Sequence, residues 1–359
     1  GIPGTVGRLQ TNRLSDQGLV FGSFDFAPPS STSGQALNVT LSGNWNKLTP
    51  VSSQLTSETP AHSGDLTNIN GGIQMRHTNF YGFLFSETSL GVSGSHRYSE
   101  PYLALPNGSV LINSAFTDGT AGVKNIGIGG SAFLSTGSTT LSEAFQNQLS
   151  WFSVNNKHRI KLNTELRHDE YAQDNTTNRL GTFTFNSLSD LAAGIPTSFS
   201  RQLTPRVRNG SQLVGALSLG DSYKYSSDLQ VQYGVRIDGN QYGQTPSLNP
   251  LIQQLYGAQN SSVPNRFYVS PRVGFSWTYG TAPQIAGFDG AVRGPRAVVR
   301  GGIGLFQNSL STQLIGSAID NTGLPGANQQ VTCIGGASPS PAWGAYALNP
   351  GTIPTLCTN

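Results

Sequence analysis

Apolar and polar residues alternate along this sequence in stretches of about ten residues. In the stretch that begins at Ala36, one face carries Leu37, Val39, Leu41, Gly43 and Trp45, and Asn, Thr and Ser occupy the positions between them. Successive side chains of a β-strand point to opposite faces, so a period of two predicts a strand with one apolar and one polar face. The apolar faces of such strands must pack against a protein core or against lipid.

The pattern recurs in about a dozen segments of roughly ten residues. Clear examples begin at Leu229, Phe267 and Ala297, and less regular ones begin at Asn125 and Ala144. Strands of soluble proteins average about 5–6 residues, whereas a tilted strand needs about 9–11 residues to cross a bilayer. Strand length therefore favours a membrane barrel over a soluble β-sandwich.

Composition separates these two classes of β-protein further. Only 11% of the residues are charged, against about 25% in an average soluble domain. The polar faces carry Asn, Ser, Thr, Gln and Gly with scattered arginines, where a water-facing sheet would carry Lys and Glu. The sequence therefore predicts an all-β fold, an antiparallel transmembrane β-barrel, in the lipid bilayer of a Gram-negative type of outer membrane.

Large aromatic residues lie on the apolar faces, close to the predicted strand ends. They are Trp45, Trp151, Trp277 and Tyr279. Trp and Tyr concentrate where a barrel wall meets the two membrane–water interfaces, which makes these residues candidates for an aromatic girdle. The alternative is ordinary packing in a soluble core.

Several function classes lack their sequence signals. The net charge is +3, and no run of Lys and Arg indicates nucleic-acid binding. No phosphate-binding loop, zinc-binding helix or nucleophile elbow is present, and the five histidines form no spaced ligand set. The glycine pattern Gly127-x-Gly129-x-x-Ala132 lies inside an alternating strand and is followed by another strand, whereas a dinucleotide site needs a helix there. We therefore expect no enzymatic activity, no cofactor and no metal site.

The connections alternate between short and long. Val154–His158 and Gly220–Asp228 are short and polar, whereas the segments 47–65, 172–209, 240–265 and 309–359 are each about twenty residues or more. Outer-membrane barrels have short periplasmic turns and long extracellular loops. This orientation places the segment 309–359 outside the cell. Within another long loop, the residues 185–196 are predicted to contain a short helix, capped by Ser187 or Ser189 and ended by Gly194.

The two cysteines, Cys333 and Cys357, both fall in the last predicted extracellular loop. An oxidising compartment favours a disulfide bond between them. Two unrelated free thiols are the alternative.

Charged residues on the polar faces are candidates for the barrel lumen. In the strand that begins at His158 they are Lys161, Glu165 and Arg167, about 7 Å apart at alternate positions. Arg236, Asp238, Arg272 and Arg300 occupy polar-face positions in later strands. Such a lumen could guide an anionic solute or hold a plug domain; generic hydration and cross-strand ion pairing are the alternative.

The ordered phrases NNKHRIKLNTELRHDEY, GTFTFNSLSDLAAGIPTSF, LQVQYGVRIDGN, FYVSPRVGFSWTYG and AVVRGGIGLFQN resemble the barrel region of TonB-dependent outer-membrane receptors, particularly the Oar-like group. The resemblance covers roughly Leu141–Asn308. It implies a barrel of about 22 strands with a plugged lumen, an outer substrate site and energy from the TonB complex through a TonB box.

The sequence lacks the plug domain, the TonB box and the closing strand of that family. We therefore expect residues 1–359 to form a partial barrel, an internal piece with about half of the strands. The leading hypothesis is part of a TonB-dependent receptor for energised uptake of a small solute, oligosaccharide or peptide. The alternative is a plug-free outer-membrane barrel that acts as a surface adhesion or structural protein.

Overall fold

The computed structural model describes residues 14–29, 34–51, 59–115, 119–281, 294–308, 310 and 312–358. Over these residues the chain is mainly β-structure, with short helices confined to the connections. The strands are β1 (Leu14–Phe26), β2 (Ala36–Val51), β3 (Gly64–Tyr81), β4 (Leu84–Pro101), β5 (Asn107–Ala115), β6 (Ala121–Gly129), β7 (Gly137–Phe152), β8 (His158–Asp174), β9 (Thr182–Phe185), β10 (Ser198–Gln202), β11 (Val207–Lys224), β12 (Leu229–Tyr242), β13 (Phe267–Thr281), β14 (Pro295–Gly304) and β15 (Gln330–Ile334). The α-helices are α1 (Leu188–Ala193), α2 (Pro250–Tyr256), α3 (Thr312–Asp320) and α4 (Trp343–Leu348).

Ten strands form one large sheet in the order β1-β2-β3-β4-β7-β8-β11-β12-β13-β14. Every neighbouring pair is antiparallel, and the strands are 10 to 18 residues long. This wall is the antiparallel sheet that the period-two pattern predicts. In the part of the chain that the structure describes, no pairing joins β1 to β14.

The prediction of about a dozen wall strands is therefore too high for the described residues, which supply ten. The segment at Asn125 was expected as a further wall strand, and the structure places it in β6 of a separate five-stranded sheet. The reason lies in its strand pairing. In the described residues β6 pairs only with β5, and the other neighbour of β5 is β9, which is not a wall strand.

The two faces of the large sheet differ in chemistry, as the alternation predicts. In one row across the sheet, Leu41, Ile73 and Val92 are direct neighbours on the apolar face, and Ile73 remains 49% exposed. Apolar side chains of all the central strands are similarly uncovered. Exposing so wide an apolar surface to water is unfavourable by about 25 cal/mol per Å², so this face requires lipid.

The connections divide between the two ends of the sheet. At one end, which we name the short-turn end, the links 82–83, 153–157 and 225–228 are tight, and Gly82 and Asn156 have positive φ angles of 65° and 54°. At the other end, the long-loop end, the links include β5, β6, β9, β10 and all four α-helices. Both predicted short turns lie at the short-turn end.

The long connections build a second, smaller sheet in the order β15-β10-β9-β5-β6. We name the unit formed by this sheet with α1 and α4 the cap. Its centre is the one cluster of buried apolar side chains in the described residues, and consists of Val110, Phe183, Phe185, Phe199, Cys333, Tyr346 and Ile353. Phe199 lies opposite Phe183 in the register of β9 and β10, and their ring centroids are 4.5 Å apart. Three separate connections thus share one core.

The segment 309–359 was expected as an extracellular loop, and in the structure it is largely ordered within the cap. Its strand β15 pairs with β10, and Cys333 forms a disulfide bond with Cys357. Arg201 donates from Nη1 to the carbonyl oxygen of Ile353 at 2.6 Å, and burial lowers the pKa of its guanidinium. This segment is therefore held within the cap by strand pairing, a disulfide bond and a hydrogen bond from the half-buried guanidinium of Arg201.

The short helix predicted within 185–196 is present as α1. Ser187 caps its first turn by accepting a hydrogen bond from the Asp190 backbone N–H, and Gly194 ends it with a left-handed φ of 67°. Both signals are local, which is why the sequence alone could place this helix.

Candidate functional site

A cleft of about 1040 Å³ opens on the polar face, across β8, β11, β12, β13 and β14. Its charged side chains include Arg159, Lys161, Glu165, Arg236 and Arg272. Lys161, Glu165, Arg236 and Arg272 were predicted for the polar face of their strands, and the register brings them into one cavity.

Glycines make room for the cleft. The glycines along it are Gly220, Gly234, Gly274, Gly302 and Gly304. A Cβ atom at Gly234 would lie 2.8 Å from the Gly220 Cα, and one at Gly302 would lie 2.7 Å from the Val273 carbonyl oxygen. Larger residues would therefore force neighbouring backbones apart. Because glycine has no side chain, the space between the cations stays open at these positions.

Arg236 is the best-satisfied cation of the cleft. Its two terminal nitrogens donate to the two carboxylate oxygens of Glu165 at 2.8 Å each, and its Nε donates to Asp238 at 2.7 Å. The side chain reaches Glu165 across β11, where small residues, Ala216 and Ser218, occupy the polar face. Such a bidentate pair has fixed geometry. For Arg236, cross-strand pairing is therefore the arrangement observed.

Three other cations of the cleft differ from Arg236. Over the described residues, Arg159, Lys161 and Arg272 have no carboxylate within 4.0 Å. The guanidinium of Arg159 lies 5.1 Å from the centre of the Phe152 ring, and that of Arg272 lies 4.5 Å from the Phe306 ring. Cation–π contacts orient a guanidinium without neutralising its charge. The cleft therefore presents a local excess of positive charge.

The other predicted lumen residues lie on the polar face but outside the cleft. Arg167 donates from Nε to Asp169 at 2.8 Å, nearer the long-loop end. Arg300 lies opposite Ser276 in the pairing of β13 and β14. Arg159 was not among the predicted polar-face candidates, and the structure places it within β8 and in the cleft. Arg159 lies two residues before Lys161 and therefore on the same face of the strand. This spacing is the sequence signal that could have identified it as a polar-face residue.

The predicted girdle residues all lie on the apolar face. Trp151, Trp277 and Tyr279 lie at the short-turn end, and the Trp277 and Tyr279 rings contact each other edge-on at 5.7 Å. Trp45 lies further inside its strand, because β2 continues to Val51. Phe83, Tyr223 and Tyr225 extend the aromatic surface at the short-turn end, through ring contacts that the alternation alone did not reveal.

The apolar face carries one acidic residue at the short-turn end that the sequence analysis missed. Asp221 accepts hydrogen bonds from the Tyr233 hydroxyl at 2.9 Å and pairs with His158 Nδ1 at 2.6 Å. An isolated carboxylate beside lipid would be costly. The contacts with His158 and Tyr233 explain how this position tolerates an acid.

Helix α3 covers the polar face at the long-loop end. The Tyr242 hydroxyl donates to the Leu310 carbonyl oxygen at 2.6 Å, just before the helix. At its other end, Asp320 accepts from Arg206 Nε at 3.0 Å and also pairs with Arg208. Arg208 and Tyr242 are polar-face residues of β11 and β12. The segment that contains this helix is thus fixed on both sides of the helix to the polar face of the sheet.

Replacing Asp320 by Asn should loosen α3 from the sheet. The variant keeps the shape of the side chain but removes the charge that Arg206 and Arg208 contact, and we expect local opening to become easier by about 1–2 kcal/mol. Amide hydrogen exchange of 312–320 measures this change. Asp16→Asn, far along the chain in β1, is the matched control. Unchanged exchange in the Asp320 variant would mean that the ion pairs do not hold the helix.

The described residues contain no group of three or more His, Cys, Asp and Glu side chains arranged to hold a metal ion. Within the same ranges, none of the helices has the length and apolar character to cross a membrane.

The sequence and the fold were compared with known proteins. The model of the outer membrane beta barrel domain family matches residues 7–355. Solved structures that resemble the chain include the outer membrane transporter YddB from Escherichia coli, at a TM-score of 0.47 and 14% identity. That match covers 74% of this chain, and this chain spans 29% of the YddB chain. None of the curated proteins compared with the sequence matches it.

The family match extends over nearly the whole sequence and includes both the wall and the cap. The wall has an exposed apolar face, which is the surface that a protein needs where it contacts membrane lipid. The chain belongs to the outer membrane beta barrel domain family and lies in the outer membrane.

Proposed function

We propose that this chain forms part of the wall of a TonB-dependent receptor, which takes up a solute across the outer membrane with energy supplied by the TonB complex. The observation that carries the proposal is the wall itself. Ten strands leave β1 and β14 with unpaired edges in the described residues. Unpaired backbone groups in lipid cost several kcal/mol each. The complete wall therefore needs further strands, and a barrel of about 22 strands has a lumen wide enough for a plug.

The interior side of the wall supports the same proposal. The polar face has an uneven distribution of charge, with a basic cleft across β8–β14 and a helix, α3, over the long-loop end. In this proposal the long-loop end faces the cell exterior, the cap contributes to solute capture, and the solute is a small molecule, an oligosaccharide or a peptide.

A surface adhesion or structural role is the second candidate, and the cap is the observation that favours it. Long connections with a shared core and a disulfide bond form a stable surface for a protein partner. Under this hypothesis the barrel only anchors the cap, and neither a plug nor TonB is needed.

The energy source distinguishes the two candidates. Cells that carry the full-length gene should deplete a labelled mixture of oligosaccharides and peptides from the medium, and this depletion should stop when TonB is inactivated. The full-length protein should also bind the purified periplasmic domain of TonB. Depletion that continues without TonB, or a full-length barrel of only 8–12 strands without a plug, would contradict the receptor. Heat-modifiable gel migration of the same samples verifies that the barrel is folded.

A further inference from the structure

The cleft on the polar face has features of a ligand site that simple hydration of a lumen does not require. Arg159, Lys161 and Arg272 concentrate positive charge there. Of the acids that line the cleft, Glu165 is occupied by Arg236, and Asp221 is occupied by His158 and Tyr233. An excess of unpaired cations in a partly enclosed space attracts anions strongly, because the low-dielectric walls screen the field poorly.

Two residues that line the cleft carry buried donor atoms without hydrogen-bond partners in the described part of the chain. Ser270 lines the cleft and is fully buried, and its hydroxyl has no hydrogen-bond partner over the described residues. The Nε atom of Arg159 is likewise buried and without a partner. A buried donor that lacks an acceptor costs roughly 1–3 kcal/mol. A ligand with anionic groups spaced along the cleft would bring an acceptor near each of them.

The arrangement of the cations sets the shape of the ligand. Lys161 and Arg272 belong to one row across the sheet, separated by Gly220 and Gly234. Three strand spacings place their Cα atoms roughly 14 Å apart, and Arg159 lies roughly 7 Å from Lys161 along β8. One small ion could not contact all three cations. A ligand with several anionic groups could, because the glycines leave the space between the cations open.

We propose that this cleft binds a solute with two or more carboxylate or phosphate groups, held by Arg159, Lys161 and Arg272. The solute is thus a multiply charged anion, and the site lies in the lumen wall. The biological purpose of this site rests on the proposed uptake function, for which it would bind the solute. Binding itself requires no TonB, so it can be measured independently of transport.

Titration calorimetry of the purified full-length protein in detergent tests the proposal, with citrate and inorganic pyrophosphate as the probes and maltotriose as the neutral comparison. We expect at least one of the two anions to bind and the neutral sugar not to compete. Which anion binds more tightly distinguishes a carboxylate ligand from a phosphate ligand. The affinity should fall as the salt concentration rises.

Variants locate the site. Lys161→Gln and Arg272→Gln should each weaken anion binding by about tenfold or more, because each removes one charge-assisted contact. Lys161→Arg should retain most of the affinity. The matched control is Arg97→Gln, which removes a cation from the polar face of β4, outside the cleft, and should change the affinity by less than about twofold.

Heat-modifiable migration shows that each variant is folded before its affinity is compared. The proposal is overturned if neither anion binds the folded protein, or if Arg97→Gln weakens binding as much as Lys161→Gln and Arg272→Gln do. Anion binding with TonB-independent uptake would keep the site and reject the receptor. TonB-dependent uptake without anion binding would support the receptor and reject the anion site.

Discussion

Ile73→Arg is expected to destabilise the folded protein in a bilayer by about 2–4 kcal/mol. Ile73 lies near the middle of β3 on the apolar face, between Leu41 and Val92, and is 49% exposed. A guanidinium at this depth would have to remain in hydrocarbon or reach towards an interface at the expense of packing. Urea unfolding of the full-length protein in lipid vesicles measures the difference.

The adjacent residue provides the control for this substitution. Gln74 occupies the polar face of β3, opposite Thr40 and Gly91. Gln74→Arg introduces the same side chain one position along the strand, where water and polar groups can solvate it. We expect a change within about 0.5 kcal/mol. Equal destabilisation by the two variants would mean that the faces have been assigned to the wrong environments.

Phe183→Ala is expected to destabilise the cap by about 3–5 kcal/mol. The side chain is fully buried, and its ring lies 4.5 Å from that of Phe199 and 5.6 Å from that of Trp343. Truncation removes apolar contacts and leaves a cavity between segments that come from different connections. The readout is limited proteolysis of the full-length protein, with cleavage sites mapped by mass spectrometry. New cleavage should appear in β9, β10 and β15.

The control for Phe183→Ala is the same substitution at an exposed phenylalanine, which removes an aromatic ring without leaving a buried cavity. Phe133, in the connection before β7, is 56% exposed, and Phe133→Ala should leave the cleavage pattern of the cap unchanged. Heat-modifiable migration should be retained by both variants, because the wall does not depend on the core of the cap. Loss of the folded wall in Phe183→Ala would show that the two units are energetically coupled.

The wall could be predicted from the sequence because its signals are local and repeated. The alternation around Leu37–Trp45 and Leu229–Ile237 fixes which side chains share a face, whatever the neighbouring strand is. The short turns before β8 and β12 and the capped helix α1 also depend on residues close in sequence. Strand ends were less accurate. For example, β2 continues six residues past Trp45.

The cap could not be predicted in the same way, because its pairings join distant segments. β5 lies parallel to β9, and β15 pairs with β10 from more than a hundred residues further along the chain. The alternation at Asn125 has the same appearance as that of a wall strand, so local pattern could not show that β6 belongs to another sheet.

The sequence by itself determined that this chain is an all-β protein whose long strands have one polar and one apolar face, because the face of each residue follows from its parity along a strand. Tertiary structure decided which charges are neutralised and which remain open. Arg236 contacts Glu165 because β11 places small residues between their strands, whereas Lys161 and Arg272 are separated by glycines in the same sheet. Strand register brings residues far apart in sequence to one row, and that pairing is set by the assembled sheet.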